Sequence, residues 1–334
     1  MNLRDLIFAL LILGCSVASG MSQPKQVQVV SLTSGDVSPV HDPTIIRQGA
    51  TYYVFGTNRF NQKLLPIFCS HDLRAWRFCG NVFEDVPEWA KLEVPGARGI
   101  WAPDVSRVGG EYRLYYAIST FGSNHSVIGL ATNKTLDSSS SEYKWTDRGR
   151  VIGSTKTDDY NAIDPNCISD REGNRWLAFG SFWSGIKMRK LDPVTGKLSS
   201  VDTNLYSLAN RRPLDPPAVE GPAIIQHANH YYLFLSFDFC CRGKNSTYRV
   251  VVGRAEKITG PYIDREGKSL LEGGGTLVIE GSENWRGPGG QSLFHDDSQD
   301  LMAFHSYSSV SGKATLMVSR IRWKDGWPQT LSLP

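Results

Sequence analysis

Beyond its first twenty residues the chain has no long apolar run, so no further segment could cross a bilayer as a helix. A dominant charge is missing as well. The 36 Lys and Arg stand against 33 Asp and Glu, and the resulting +3 is spread along 334 residues without a basic patch, which excludes nucleic acid as a partner. Cysteine is scarce, six in all, and no CxxC or Cys/His set has zinc spacing. A sustained helical period is absent. What fills the chain instead is short aromatic and β-branched runs separated by turn residues about every 8–12 positions, the pattern of an all-β protein of many short strands.

The apolar stretch from Leu3 to Ser19 has Arg4 near its start and ends in small residues. It reads as a secretory signal peptide over residues 1–20, cut near Ser19 or Gly20, ahead of a single catalytic domain over 21–334. A lipoprotein signal ending at Cys15 is the competing reading, although Leu13 fits it poorly. The protein is therefore expected to be secreted and extracellular; the competing reading makes it periplasmic or anchored to the cell surface by lipid. Five cysteines follow Cys15, an odd number, so at least one thiol stays unpaired. Cys69 and Cys79 flank a short segment and can form a disulfide in an oxidising compartment. Asn124, Asn133 and Asn245 head glycosylation sequons, which matter only in a eukaryotic secretory pathway.

The most informative pattern is an echo. His41-Asp42-Pro43, Ala102-Pro103-Asp104-Val105, Ile163-Asp164-Pro165 and Val219-Glu220-Gly221-Pro222 each set a carboxylate beside or near a proline. Each leads to a similar strand: Tyr52–Gly56, Tyr112–Tyr116, Trp176–Gly180 and Tyr231–Leu235. A fifth unit runs from Gly287-Pro288-Gly289-Gly290-Gln291-Ser292 to Phe304-His305-Ser306-Tyr307 and has lost the acid. Five units spaced by about 60 residues predict a five-bladed β-propeller. A β-sandwich would leave that period unexplained. In a propeller the first strand of each blade lines the central channel, so repeated positions converge in space. Asp42, Asp164 and Glu220 then face one cavity, where burying a charge is costly unless it is used. Two such carboxyls can act as general acid and general base, and a third can raise the acid's pKa by repulsion. Glycoside hydrolysis needs that arrangement.

These motifs resemble glycoside hydrolase family 43 over about residues 38–328. Phe179-Gly180-Ser181-Phe182-Trp183-Ser184-Gly185 and Cys240-Cys241-Arg242-Gly243 point within it to the endo-1,5-α-L-arabinanases. The resemblance implies an inverting hydrolase cutting internal α-1,5-L-arabinofuranosyl linkages of arabinan, acting as a monomer. Asp42 matches the general base, Glu220 the general acid and Asp164 the residue that tunes and orients the acid. An inverting pair stands about 6.5–9.5 Å apart. His305 matches a channel histidine beside a metal ion, expected to be calcium held largely by water, an unusual site for an ion that prefers oxygen ligands. Trp101, Phe121 and Trp183 are expected to stack on sugars, while Asn161, Ile163 and Ser181 match substrate contacts. Asp104 reads as structural, a partner for an arginine near the channel. The Gly290-Gln291 pair departs from the His-Asn of many bacterial members and puts any role for a side chain at 290 in doubt.

Two alternatives stay open. An exo-acting α-L-arabinofuranosidase or β-xylosidase of the same family would keep the chemistry and change the product. A non-catalytic carbohydrate-binding propeller would keep the fold, but it predicts eroded acids.

Overall fold

Short strands and turns build five antiparallel sheets in succession. They are seen in a computed structural model that describes residues 28–57, 59–60, 63–297 and 299–334. The expected signal peptide, with Cys15, lies outside the described residues. Blade 1 comprises His41–Gln48, Thr51–Thr57, Lys63–Ser70 and Ala75–Phe83. Blade 2 comprises Trp101–Val108, Glu111–Ile118, Ser126–Asn133 and Thr146–Ser154. Blade 3 comprises Asn166–Ser169, Arg175–Phe179, Ile186–Leu191 and Tyr206–Ala209. Blade 4 comprises Val219–His227, His230–Phe237, Arg249–Ala255 and Thr276–Ile279. Blade 5 has three strands, Trp285–Asp296, Gln299–Ser308 and Ala314–Ile321.

The expected propeller is thus present, with one difference in its last blade. The chain ahead of blade 1 runs along the outer strand of blade 5. Val40 N–H donates to the Ala314 carbonyl at 3.2 Å, and Leu316 N–H donates to that of Val37 at 2.9 Å. Farther out, Gln28–Val29 pairs in parallel with Leu331–Ser332. Backbone groups at that sheet edge are thereby satisfied and the ring is closed.

Apolar side chains pack between neighbouring blades. Tyr115, Ile128 and Leu130 of blade 2 meet Leu177 and Phe179 of blade 3. Val54 and Phe68 of blade 1 meet Ala303, Leu316 and Val318 of blade 5. Cys69 and Cys79 form the expected disulfide across blade 1, and Cys167 is a buried free thiol. Of the sequon asparagines, Asn124 and Asn133 are buried, and only Asn245 is exposed.

Four of the five innermost strands carry the same bulge. In blade 1 the pairing jumps from His41↔Thr57 to Thr44↔Phe55, and the same three-residue jump follows Trp101, Glu220 and Gly289. The residue after each of these is left-handed, Asp42 (φ 45°), Ala102 (40°), Gly221 (59°) and Gly290 (56°), and so is Asp164 (56°), which lies just ahead of the regularly paired first strand of blade 3. In the first four blades a proline follows, tolerated because a bulge, or in blade 3 a place ahead of the strand, leaves its position without a ladder hydrogen bond. Left-handed backbone costs a non-glycine residue about 1–2 kcal/mol, so holding Asp42, Ala102 and Asp164 there requires the surrounding packing.

That register gives a structural basis to the difference expected between Asp104 and the three acids of the cleft. Asp42 and Asp164 occupy the left-handed position, Glu220 sits one residue before it, and Asp104 two residues after. The position two after the left-handed residue stitches blades together. Thr44 Oγ1 accepts Val105 N–H at 3.3 Å, Asp104 Oδ2 accepts Cys167 N–H at 2.8 Å, Asn166 Oδ1 accepts Ile224 N–H at 2.9 Å and Ser292 Oγ accepts Ile45 N–H at 3.2 Å. Asp104 also accepts Asn166 Nδ2 at 3.1 Å. It is structural, as expected, but its direct partners are these groups, and Arg175 acts on it only through charge. Burial pushes the Asp104 carboxyl up to about 6.

Candidate active site

The bulges aim two rings of residues at one end of the channel. The position before the left-handed residue supplies His41, Trp101, Ile163 and Glu220 to a cleft of about 640 Å³, and the left-handed position adds Asp42 and Asp164. Phe121, Asn161, Ser181 and Trp183 also line it, so all nine residues expected to act on the sugar chain meet there. Below it a cavity of about 30 Å³ is walled by Pro43, Pro103, Pro165, Pro222 and Gln291, the residues that follow the left-handed ones.

The three acids differ in their surroundings. Asp42 Oδ2 lies 2.8 Å from His41 Nδ1 and accepts the Thr57 hydroxyl at 2.8 Å. Burial would raise its pKa, but the charge and hydrogen bond of His41, with help from His305 and Thr57, hold it down at about 2. Asp42 is therefore a carboxylate ready to accept a proton. Glu220 is buried, accepts Ser181 Oγ at 2.5 Å and is bonded by the Tyr248 hydroxyl. Burial and the charge of Asp42 raise its pKa against those two hydrogen bonds. Asp164 accepts Gly221 N–H at 3.1 Å. Burial, then the charges of Glu220 and Asp42, push it well above the usual carboxylate range. Repulsion between two such groups is mutual, so Asp164 and Glu220 titrate as a unit that retains a proton.

His305 reaches this centre from an unexpected place. It lies on the second strand of blade 5, opposite Gly289, not on a channel-lining first strand. The glycine pair lets it through. A Cβ at Gly290 would stand 2.4 Å from Asp42 Oδ1 and 2.8 Å from His305 Cε1 and Nδ1. Any side chain at position 290 would therefore displace the base or His305, which answers the doubt the sequence left there. The ring stacks on His41 at 3.8 Å, is fully buried, and accepts Asp42 N–H through Nδ1 at 3.2 Å. Burial, then the charge of His41, pushes its pKa well down.

Neutral His305 with an accepting Nδ1 carries its proton on Nε2, an atom without a hydrogen-bond partner among the described residues. An N–H there seeks an acceptor, which a water molecule can supply. The surrounding candidate ligands are two imidazoles and one carboxylate already held by His41 and Thr57. Calcium takes six to eight oxygens, so the ion expected from the sequence would draw most of its ligands from water, with these side chains beside it.

The residues expected to contact sugar divide by exposure. Phe121 is 85% exposed on the loop after the second strand of blade 2, a free apolar face at the rim. Phe182 (φ 54°) and Trp183 (φ 41°) are both left-handed in the Gly180–Gly185 loop, strain that turns them toward the cleft. Trp101 and Ile163 serve the cleft while also packing in the core between blades 2 and 3. Asn161 is buried and accepts the Ser126 hydroxyl at 2.7 Å.

Sequence reasoning missed His41, Thr57, Tyr248, Tyr307 and the bond joining Cys240 to Cys241. His41 was findable, since it shares the register of Trp101, Ile163 and Glu220. Thr57 and Tyr307 belong to second strands and carry no signal of their own.

A carboxylate held ionised, a carboxyl pair holding a proton, and aromatic faces in one cleft define a propeller built to hydrolyse glycosidic bonds. Residues 38–328 match the glycosyl hydrolases family 43, and the chain belongs to that family. It is 43% identical over 291 residues to the extracellular endo-alpha-(1->5)-L-arabinanase 1 of Bacillus subtilis, covering 86% of this chain and 87% of the relative. It is 39% identical over 301 residues to an extracellular exo-alpha-(1->5)-L-arabinofuranosidase of Cellvibrio japonicus, covering 87% and 86%. Among solved structures, the endo-arabinanase of Bacillus licheniformis superposes with a TM-score of 0.82 at 42% identity, covering 89% of this chain and 99% of that one.

Proposed function

We propose that this chain is an inverting endo-1,5-α-L-arabinanase. The observation that carries the reading is the opposite tuning of two carboxyls in one cleft, Asp42 held near 2 and Glu220 raised. In the proposed reaction Asp42 takes a proton from a water whose oxygen bonds to the anomeric carbon. The bond from that carbon to the leaving oxygen breaks, and Glu220 gives its proton to that oxygen. Asp164 keeps the proton available by repulsion. No step runs through a metal.

Support for internal cleavage comes from the shape of the groove. A second cavity of about 560 Å³ shares Thr120, Gly122, Ser123 and Trp183 with the first, so the groove continues past Trp183 on the blade 2 side. A chain can lie across such a site, whereas end-on attack needs a closed pocket. The exo reading is favoured by the Cellvibrio japonicus relative and by the solved exo-1,5-alpha-L-arabinanase from a bovine ruminal metagenomic library, 39% identical with a TM-score of 0.82. Export is supported by the relatives described as extracellular.

The test is incubation with linear α-1,5-arabinan. Short oligosaccharides of mixed length with an early fall in viscosity are expected, and proton NMR should detect the inverted anomer first. A single small product from the outset favours exo action, and no product from folded protein rejects the reading. Asp42→Ala and Glu220→Ala should each lower kcat at least about a thousandfold with unchanged melting temperature; near-normal rates in either would reject its role.

A further inference from the structure

The loop between the second and third strands of blade 4, residues 238–248, touches one reacting carboxyl and is linked to the other through two side chains. At its far end Tyr248 bonds Glu220. In its middle Cys241 N–H donates to the Tyr307 hydroxyl at 2.9 Å. That hydroxyl bonds His41 Nε2 at 2.6 Å, and His41 Nδ1 lies 2.8 Å from Asp42. One continuous chain of hydrogen bonds therefore runs from the loop backbone to the base.

The middle of the loop is fixed covalently. Cys240 and Cys241 are neighbours in sequence, are bonded to each other, and line the cleft. Cys241 is left-handed (φ 63°), a conformation that costs a non-glycine residue about 1–2 kcal/mol. It is also what points its N–H at Tyr307. The rest of the loop supports it. Phe239 O accepts Thr247 N–H at 2.8 Å, Arg242 N–H donates to Ser246 Oγ at 3.1 Å, and the Arg242 guanidinium lies 3.9 Å over the Phe239 ring.

We propose that the Cys240–Cys241 bond is a positioning element for catalysis: it holds Cys241 N–H on Tyr307 and so keeps His41 and Asp42 in working geometry. The proposal rests on the hydrolase reading above. A bond between adjacent residues closes no loop of intervening chain, so it restricts the unfolded chain little. Its loss should therefore slow turnover without lowering stability, unlike loss of Cys69–Cys79.

The test compares the wild type, the double variant Cys240→Ser/Cys241→Ser, Tyr307→Phe and the combined triple variant on linear arabinan, with thermal melts. Each of the first two changes should lower kcat about tenfold or more with KM within about threefold. The triple variant should be no slower than the worse of them, since both cut one chain of hydrogen bonds. Melting temperatures should stay within about 3 °C of the wild type. A double variant within twofold of wild-type kcat, losses that multiply in the triple, or a loss tracking a lowered melt each overturns the inference.

If the double variant does not fold, dithiothreitol on folded wild type replaces it. The dithiol is oxidised to its cyclic disulfide, and the Cys240–Cys241 bond takes up two electrons and two protons to give two thiols. Alkylation and mass spectrometry identify the opened pair, and full activity with Cys240 and Cys241 alkylated overturns the inference. An inactive wild type would instead reject the hydrolase reading itself.

Discussion

At the scale of residues, small differences in surroundings separate three chemically similar acids. Asp42 keeps its charge because an imidazole and a hydroxyl contact it, whereas Glu220 and Asp164 are raised by burial and repulsion. The pair's repulsion has a measurable sign. Asp164→Asn removes one negative charge beside Glu220, so Glu220 loses its proton at lower pH. The alkaline limb of kcat/KM against pH should move to lower pH, while the acid limb, set by Asp42 near 2, stays. Unchanged alkaline behaviour would remove Asp164 from its tuning role. Gly290 is the second residue-level test. Gly290→Ala puts a methyl within 2.4 Å of Asp42 Oδ1 at φ 56°. Activity should fall at least about tenfold, beside about 1–2 kcal/mol of lost stability, seen as reduced kcat and a lower melting temperature.

At the scale of elements, the start of each innermost strand does two tasks two residues apart. Its left-handed residue faces the channel, and the residue two later bonds the next blade. Blade 4 has Ala223 at that second position, with no side-chain acceptor; there Gln291 Nε2 bridges to the Gly221 carbonyl at 2.6 Å instead. Asp104 carries two of these bonds, so Asp104→Asn is informative. Its amide can still accept Cys167 N–H, but its NH2 then opposes the Asn166 Nδ2 that Asp104 now accepts, while Asn166 Oδ1 remains engaged by Ile224. One buried donor is left without an acceptor, at a cost of about 1–3 kcal/mol. Chemical denaturation should register that loss while kcat of the folded enzyme stays near wild type, which separates Asp104 from the three acids of the cleft.

At the scale of the whole molecule, a ring of five blades turns positions about 60 residues apart into neighbours. His305 comes from the last blade and Asp42 from the first, joined where the ring closes. The centre so formed is rich in nitrogen, so a calcium ion there would depend on water for most of its oxygens and exchange readily. Elemental analysis of active protein should find about one calcium per chain, and dialysis against EDTA should remove it and lower kcat on arabinan. Active protein free of calcium would overturn that expectation.

How much of this was legible in the sequence follows from the kind of signal each feature leaves. The five-fold period is a local pattern repeated, so the propeller, the family and the acids of the cleft could be read from residues alone. Trp101, Phe121 and Trp183 were legible for the same reason, as aromatics beside recognisable motifs. Register was not. A bulge adds residues without changing the motif's look, so the motifs of Asp42, Asp104, Asp164 and Glu220 look alike although these acids hold three different positions. Contacts across the ring were also hidden. Thr57, Tyr248 and Tyr307 matter because of what they face, and the Cys240–Cys241 bond matters because Tyr307 lies beneath it. The sequence by itself determined the architecture, the chemistry of the side chains and, through the family resemblance, the roles expected of the acids. Only the tertiary structure supplied the neighbours that hold one acid charged, raise two others and bond Asp104 across blades, because pKa and hydrogen bonding depend on groups that the chain brings together only when the ring closes.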